Sequence, residues 1–116
     1  MTNERGFSKN VVEQFVIVES ASTDDGYLKL TLRGHLDADG APMLSDHLVV
    51  LRTAGSVRVE LDFTGVQFIS STGIGTIIAA VGEFRDADGD LVVSGLSDEL
   101  RELFEMLDLV DYITIR

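Results

Sequence analysis

Phe68-Ile69-Ser70-Ser71-Thr72-Gly73-Ile74-Gly75-Thr76-Ile77-Ile78 is the stretch on which the fold of this chain turns. Ahead of it, Val57-Arg58-Val59-Glu60-Leu61-Asp62-Phe63 alternates apolar and polar residues, the period of a strand with one buried face. Behind it, Ile74, Ile77, Ile78, Val81 and Phe84 recur at helical spacing. The junction reads as strand, loop, helix, and it puts Ser70, Ser71 and Thr72 at the helix start. Serine and threonine suit that place because the side-chain oxygen accepts from a free first-turn amide. Gly73 and Gly75 follow at once, although a glycine inside a helix costs about 1 kcal/mol against alanine. Their use is to leave the backbone bare for close approach. Two readings of the junction stay open: a capped helix packed tightly on its sheet, or a hydroxyl presented for modification. The second draws on the amides and dipole of a helix N-terminus, which favour negative charge, phosphate included.

Working outward, Val11 to Glu19 is rich in β-formers and reads as strand one, after a polar, flexible tail over residues 1–10. Asp25-Gly26 is a hairpin signal. Tyr27 to Arg33 then alternates, with Leu28, Leu30 and Leu32 on one face, as a strand solvated on the other side. Ala41-Pro42 opens a helix striped by Leu44, Leu48 and Leu51, and Gly55 can take the left-handed position after it. Strand three spans Val57 to Asp62, and a short strand four covers Leu91 to Ser94. Ser97 caps a last helix marked by Leu96, Leu100, Leu103, Phe104 and Leu107, with Leu103 expected between helix and sheet; Tyr112 to Ile115 closes the chain as a strand. The order β-β-α-β-α-β-α-β predicts one α/β domain over 11–116. Its mixed sheet has about five strands, antiparallel at the start and parallel after it, with helices packed on one face.

The 116 residues, 45% of them hydrophobic, suffice for a single domain with its own core. No cysteine is present, so there is neither a disulfide framework nor a thiolate nucleophile. No apolar run approaches the roughly 18 residues of a membrane span, and the start lacks the apolar core of a signal peptide, so a cytoplasmic location is expected. A net charge of −11 argues against nucleic acid and against anionic lipid as partners. The same charge would steer a basic protein towards the chain.

Little else in the sequence carries chemistry. His35 and His47 lack a metal-ligand spacing, and no metal or cofactor is expected. Asp86-Ala87-Asp88-Gly89-Asp90 lacks the glycine and the final glutamate of a calcium loop, and reads as a solvated turn. No phosphate-binding P-loop occurs. A hydrolase built on Ser70, Ser71 or Thr72 would need a base beside the hydroxyl, and no histidine is suggested there, so no enzyme is expected.

Asp62-Phe63-Thr64-Gly65-Val66-Gln67-Phe68-Ile69-Ser70-Ser71-Thr72-Gly73-Ile74-Gly75 resembles the signature of the STAS domain family, shared by bacterial anti-sigma-factor antagonists and sulfate-transporter tails. Gly34-His35-Leu36-Asp37 with Ala41-Pro42 resembles a second segment of that family. Ser70 stands where the family often has Asp. The resemblance implies an antagonist that binds an anti-sigma factor acting as a serine/threonine kinase, and that is released on phosphorylation. It implies Thr72 as the acceptor, with Ser71 as the alternative. Asp37, Ser70, Ser71, Gly73 and Gly75 would form the partner or anion surface. Alternatives within the same resemblance are a free-standing module that binds a nucleotide or other anion, and a soluble subunit of a membrane transport system.

Overall fold

The computed structural model describes residues 14–116. The expected tail, and the first residues assigned to strand one, fall outside them. Two strands come first, β1 (Val16–Ser22) and β2 (Leu28–Leu36). Then follow α1 (Gly40–Thr53), β3 (Arg58–Ile69), α2 (Ser71–Asp86), β4 (Asp90–Ser94) and α3 (Asp98–Met106). A 3₁₀ turn (Leu109–Asp111) and β5 (Thr114–Ile115) complete the fold. The five strands lie in sequence order. β1 pairs antiparallel with β2, and every later pairing is parallel, as the hairpin and the βα units predict.

Alternation decides which face of the sheet is covered. Leu30, Leu32, Val59, Leu61, Phe63, Leu91 and Val93 are buried beneath the helices. From above, α1 contributes Leu44, Leu48 and Leu51, and α2 contributes Ile74, Ile77, Val81 and Phe84. The ring of Phe63 meets Phe104 of α3 edge-on, with centroids 6.5 Å apart. The opposite face carries Lys29, Glu60 and Asp62. There Arg116 reaches Glu60 at 3.1 Å and Asp25 at 2.7 Å.

Several sequence expectations need correction, among them the last strand, which spans Thr114–Ile115 rather than Tyr112 to Ile115. β1 begins at Val16 and runs to Ser22. Phe15 is buried outside the strand, its ring against Gly40 at the start of α1. β3 does not stop at Asp62 but continues to Ile69, through a bulge where Arg33 pairs with Gly65 after Thr31 has paired with Asp62, and past a second register shift between Gly34 and His35. The bulge is held locally: Thr64 donates its amide (2.9 Å) and its hydroxyl (2.6 Å) to Asp62 Oδ1. β2 lengthens in step to Leu36, so His35 is a strand residue rather than a loop residue, packed edge-on against Phe68. Finally, Leu103 is only half-buried and Leu107 is exposed; Leu100 and Phe104 anchor α3 instead.

The two glycines of the featured stretch do different jobs. A side chain on Gly73 would stand 2.5 Å from the Leu36 carbonyl oxygen, so the first turn of α2 lies directly against the end of β2. Gly75 has open space around it. Gly73→Ala should therefore lower stability by about 1–3 kcal/mol, as overpacking does. Gly75→Ala should raise it by up to about 1 kcal/mol through helix propensity. Urea midpoints that shift in the same direction for both would contradict this packing. In the last helix, Phe104→Ala should cost about 3–5 kcal/mol, and Leu103→Ala distinctly less. Equal losses in the same titration would mean that α3 is rotated from the position described.

Candidate functional site

The site begins where β3 ends. Ser70 is extended, and its side-chain oxygen accepts from the Gly73 amide at 3.1 Å, capping α2. The same residue is tied to the neighbouring strand: its amide (2.9 Å) and its hydroxyl (3.3 Å) both donate to the Leu36 carbonyl. The cap is thus bolted to β2. Ile69 and Ile74 are buried on either side of the turn. That leaves Ser71 and Thr72 exposed at the mouth of the helix. Gly73 and Ile74 use their amides on Ser70, so the amides of Ser71 and Thr72 remain as the free donors of the helix end. No acidic residue lies in the first turn of α2. Negative charge added at this end would meet amides and a dipole and no carboxylate of that turn.

Asp37 stands one residue beyond Leu36, and it organises the start of α1. Its Oδ1 accepts from the amides of Asp39 and Gly40, each at 3.0 Å. The Gly40 amide first, and then that of Asp39, hold its carboxyl below the usual carboxylate range, so it stays charged. Asp37 and Thr72 therefore belong to neighbouring helix starts joined through the Leu36 carbonyl. They do not line one cavity. Thr72 borders a groove of about 320 Å³ between α1 and α2, walled by Ser45, Gly75, Thr76 and Glu83 over Leu48. Asp37 borders a separate hollow of about 400 Å³ with Phe15, His35, Asp39, Gly40 and Met43.

Among the sequence candidates, Ser70 is half-buried and committed to the cap, and Gly73 is buried against β2. Ser71, Thr72 and Gly75 are the ones on the surface. Thr76 and Ser45, which the sequence reading did not single out, also border the Thr72 groove. Thr76 was within reach of sequence reasoning, since it lies four residues after Thr72 on one helix face. Ser45 was not, because it comes from α1. His47 faces Glu19 at 3.1 Å, away from both hollows, whereas His35 packs against Phe68 and also borders the Asp37 hollow. Among the described residues no group of three or more His, Cys, Asp or Glu could hold a metal ion, and no helix is long and apolar enough to cross a membrane.

Known proteins share this architecture. The anti-sigma-B factor antagonist of Listeria monocytogenes is 32% identical over 101 residues, 87% of this chain and 89% of that protein. An anti-sigma factor antagonist from Mycobacterium paratuberculosis superposes with a TM-score of 0.75 at 16% identity, covering 88% of this chain and 85% of that one. The phosphorylated form of the Bacillus cell fate determinant SpoIIAA superposes with a TM-score of 0.68 at 17% identity, covering 87% and 91%. At those identities the two superpositions speak for the fold alone. The family model described as "Mlab, STAS domain" matches residues 20–115, which include both helix starts and the capped junction between them, and the chain belongs to the STAS domain family.

Proposed function

We propose that this chain is an anti-sigma-factor antagonist whose binding is switched by phosphorylation of Thr72. The observation that carries the reading is the exposed Thr72 at the start of α2, on a turn fixed by the Ser70 cap. Relatives similar over nearly the whole chain are named anti-sigma-B factor antagonists. The partner would be an anti-sigma factor that is itself a serine/threonine kinase, met in the cytoplasm. That partner would bring ATP, magnesium and the base for phosphoryl transfer, so this chain need supply only an accessible hydroxyl and has no catalytic role of its own. Asp37, Ser71 and Gly75 would lie within the partner's footprint around Thr72.

The switch would work through charge. Phosphate adds about −1.5 to −2 charges at one point of the surface. The free amides and dipole of α2 offset part of that charge within this chain, so the fold survives. A partner surface packed against a neutral hydroxyl has no such compensation, and a charge buried there without a counter-ion is costly. Thr72→Ala should fold, bind the partner and resist phosphorylation, while Thr72→Glu should fold and bind weakly. Incubation with the cognate kinase and ATP, followed by mapping of the modified residue, tests this directly. Phosphate on Ser71 would move the acceptor by one residue. Absence of phosphate from Ser70, Ser71 and Thr72, together with equal partner binding by both variants, would sink the switch.

A further inference from the structure

We infer that the corner formed by the end of α3, the 3₁₀ turn and the start of β5 is a second docking surface, for a protein segment carrying apolar side chains flanked by lysine or arginine. Met106 is 79% exposed and Leu107 49%, and Val110 and Tyr112 of the following turn are each 39% exposed. These four are the densest group of exposed large apolar side chains along the described sequence, with Leu109 buried among them. Exposed apolar side chains gathered in this way are a feature of contact surfaces.

The rim around it says what the contact is. Glu102, Glu105, Asp108 and Asp111 are exposed, and none of them forms an ion pair among the described residues. The last turn of α3 contains no basic residue. A helix C-terminus favours cations, yet this one is surrounded by carboxylates. Arg85 is committed within the chain: it donates to the Tyr112 carbonyl at 2.7 Å, its guanidinium lies over the Tyr112 ring at 5.0 Å from the centroid, and it is 3.9 Å from Asp90. Arg101 is the one cation at the edge without a partner among the described residues. A basic, apolar segment would cover the patch and supply the missing cations at once. A second copy of this chain would bring the acidic rim against itself, and an anionic membrane would be repelled by it.

The proposal does not rest on the reading of Thr72, because the two surfaces lie at opposite ends of the sheet. α2 starts at the C-terminal end of β3, whereas the patch precedes the N-terminal end of β5, which runs parallel to β4 as β4 does to β3. Arg85, which touches Tyr112, lies thirteen residues after Thr72 (85 − 72) on α2, about 20 Å along the helix axis. Occupancy at this corner would thus be compatible with either state of Thr72.

The test is an NMR titration of the isotope-labelled full chain with a synthetic amphipathic leucine/lysine peptide. Controls are a leucine/glutamate peptide and a serine/lysine peptide of the same pattern. Saturable shift changes should centre on residues 102–112 with the first peptide only. Met106→Glu, and separately Glu102→Lys with Glu105→Lys, should weaken binding by at least about tenfold, as loss of an interface anchor does. Thr72→Glu should leave it unchanged. Changes centred elsewhere, no saturable binding, or equal binding of the leucine/glutamate peptide would overturn the proposal. A dimer in sedimentation velocity that Met106→Glu dissolves would overturn it in favour of a second copy. Binding to phosphatidylglycerol vesicles through the same patch would overturn it in favour of lipid.

Discussion

The Leu36 carbonyl is the hinge of this structure. It ends β2, accepts from both the amide and the hydroxyl of Ser70, and stands so close to Gly73 that a single methyl group would collide with it. One backbone oxygen thereby sets the distance between sheet and helix, the cap of α2, and the direction in which Thr72 faces. The same strand end passes into Asp37, whose carboxylate organises the first amides of α1. Two helix starts are placed side by side by one peptide group. A buried carbonyl accepts readily from two donors, since it has two lone pairs and no water to serve them.

This arrangement separates the work of the three hydroxyl residues. Ser70 is used up in holding the turn, which frees Ser71 and Thr72 to face solvent. An aspartate at position 70 would cap as well, since both side chains accept from the same first-turn amide. Serine caps without charge, and so leaves this helix start free of a fixed carboxylate. Among the described residues, much of the acidic charge lies on the exposed sides of the helices and in the turns.

Much of the fold was legible because it depends on periodicity. The alternation of Leu28, Leu30 and Leu32, the stripes of α1 and α2, the left-handed Gly55 and the Ser97 cap are all local signals, and the structure follows them. What was not legible depends on contacts between segments. The alternation that ends at Asp62 does not show that β3 continues; it stays paired with β2 as far as Ile69, with Thr64 bonded back to Asp62 at the bulge. Leu103 and Phe104 are equally apolar, but Phe104 is the one fully buried, with its ring edge-on to Phe63. Gly73 and Gly75 look alike in the sequence, but positions two apart face different sides of a helix, and one meets β2 while the other meets solvent. The exposure of Thr72 fits the buried directions of Ile69, at the end of β3, and of Ile74, the latter already suggested by the helical spacing.

The switch proposed for Thr72 requires that the turn from Ser70 to Ile74 be rigid enough to carry a phosphate without rearranging. Amide hydrogen exchange on the chain with phosphothreonine installed at position 72, set beside the unmodified chain, tests that claim most directly. The account predicts that Gly73 and Ile74 keep their protection, that the amides of Ser71 and Thr72 exchange more slowly, and that the rest of α2 is unchanged. Loss of protection spreading from Gly73 into α2 would show that the junction gives way under the charge, and would contradict the account.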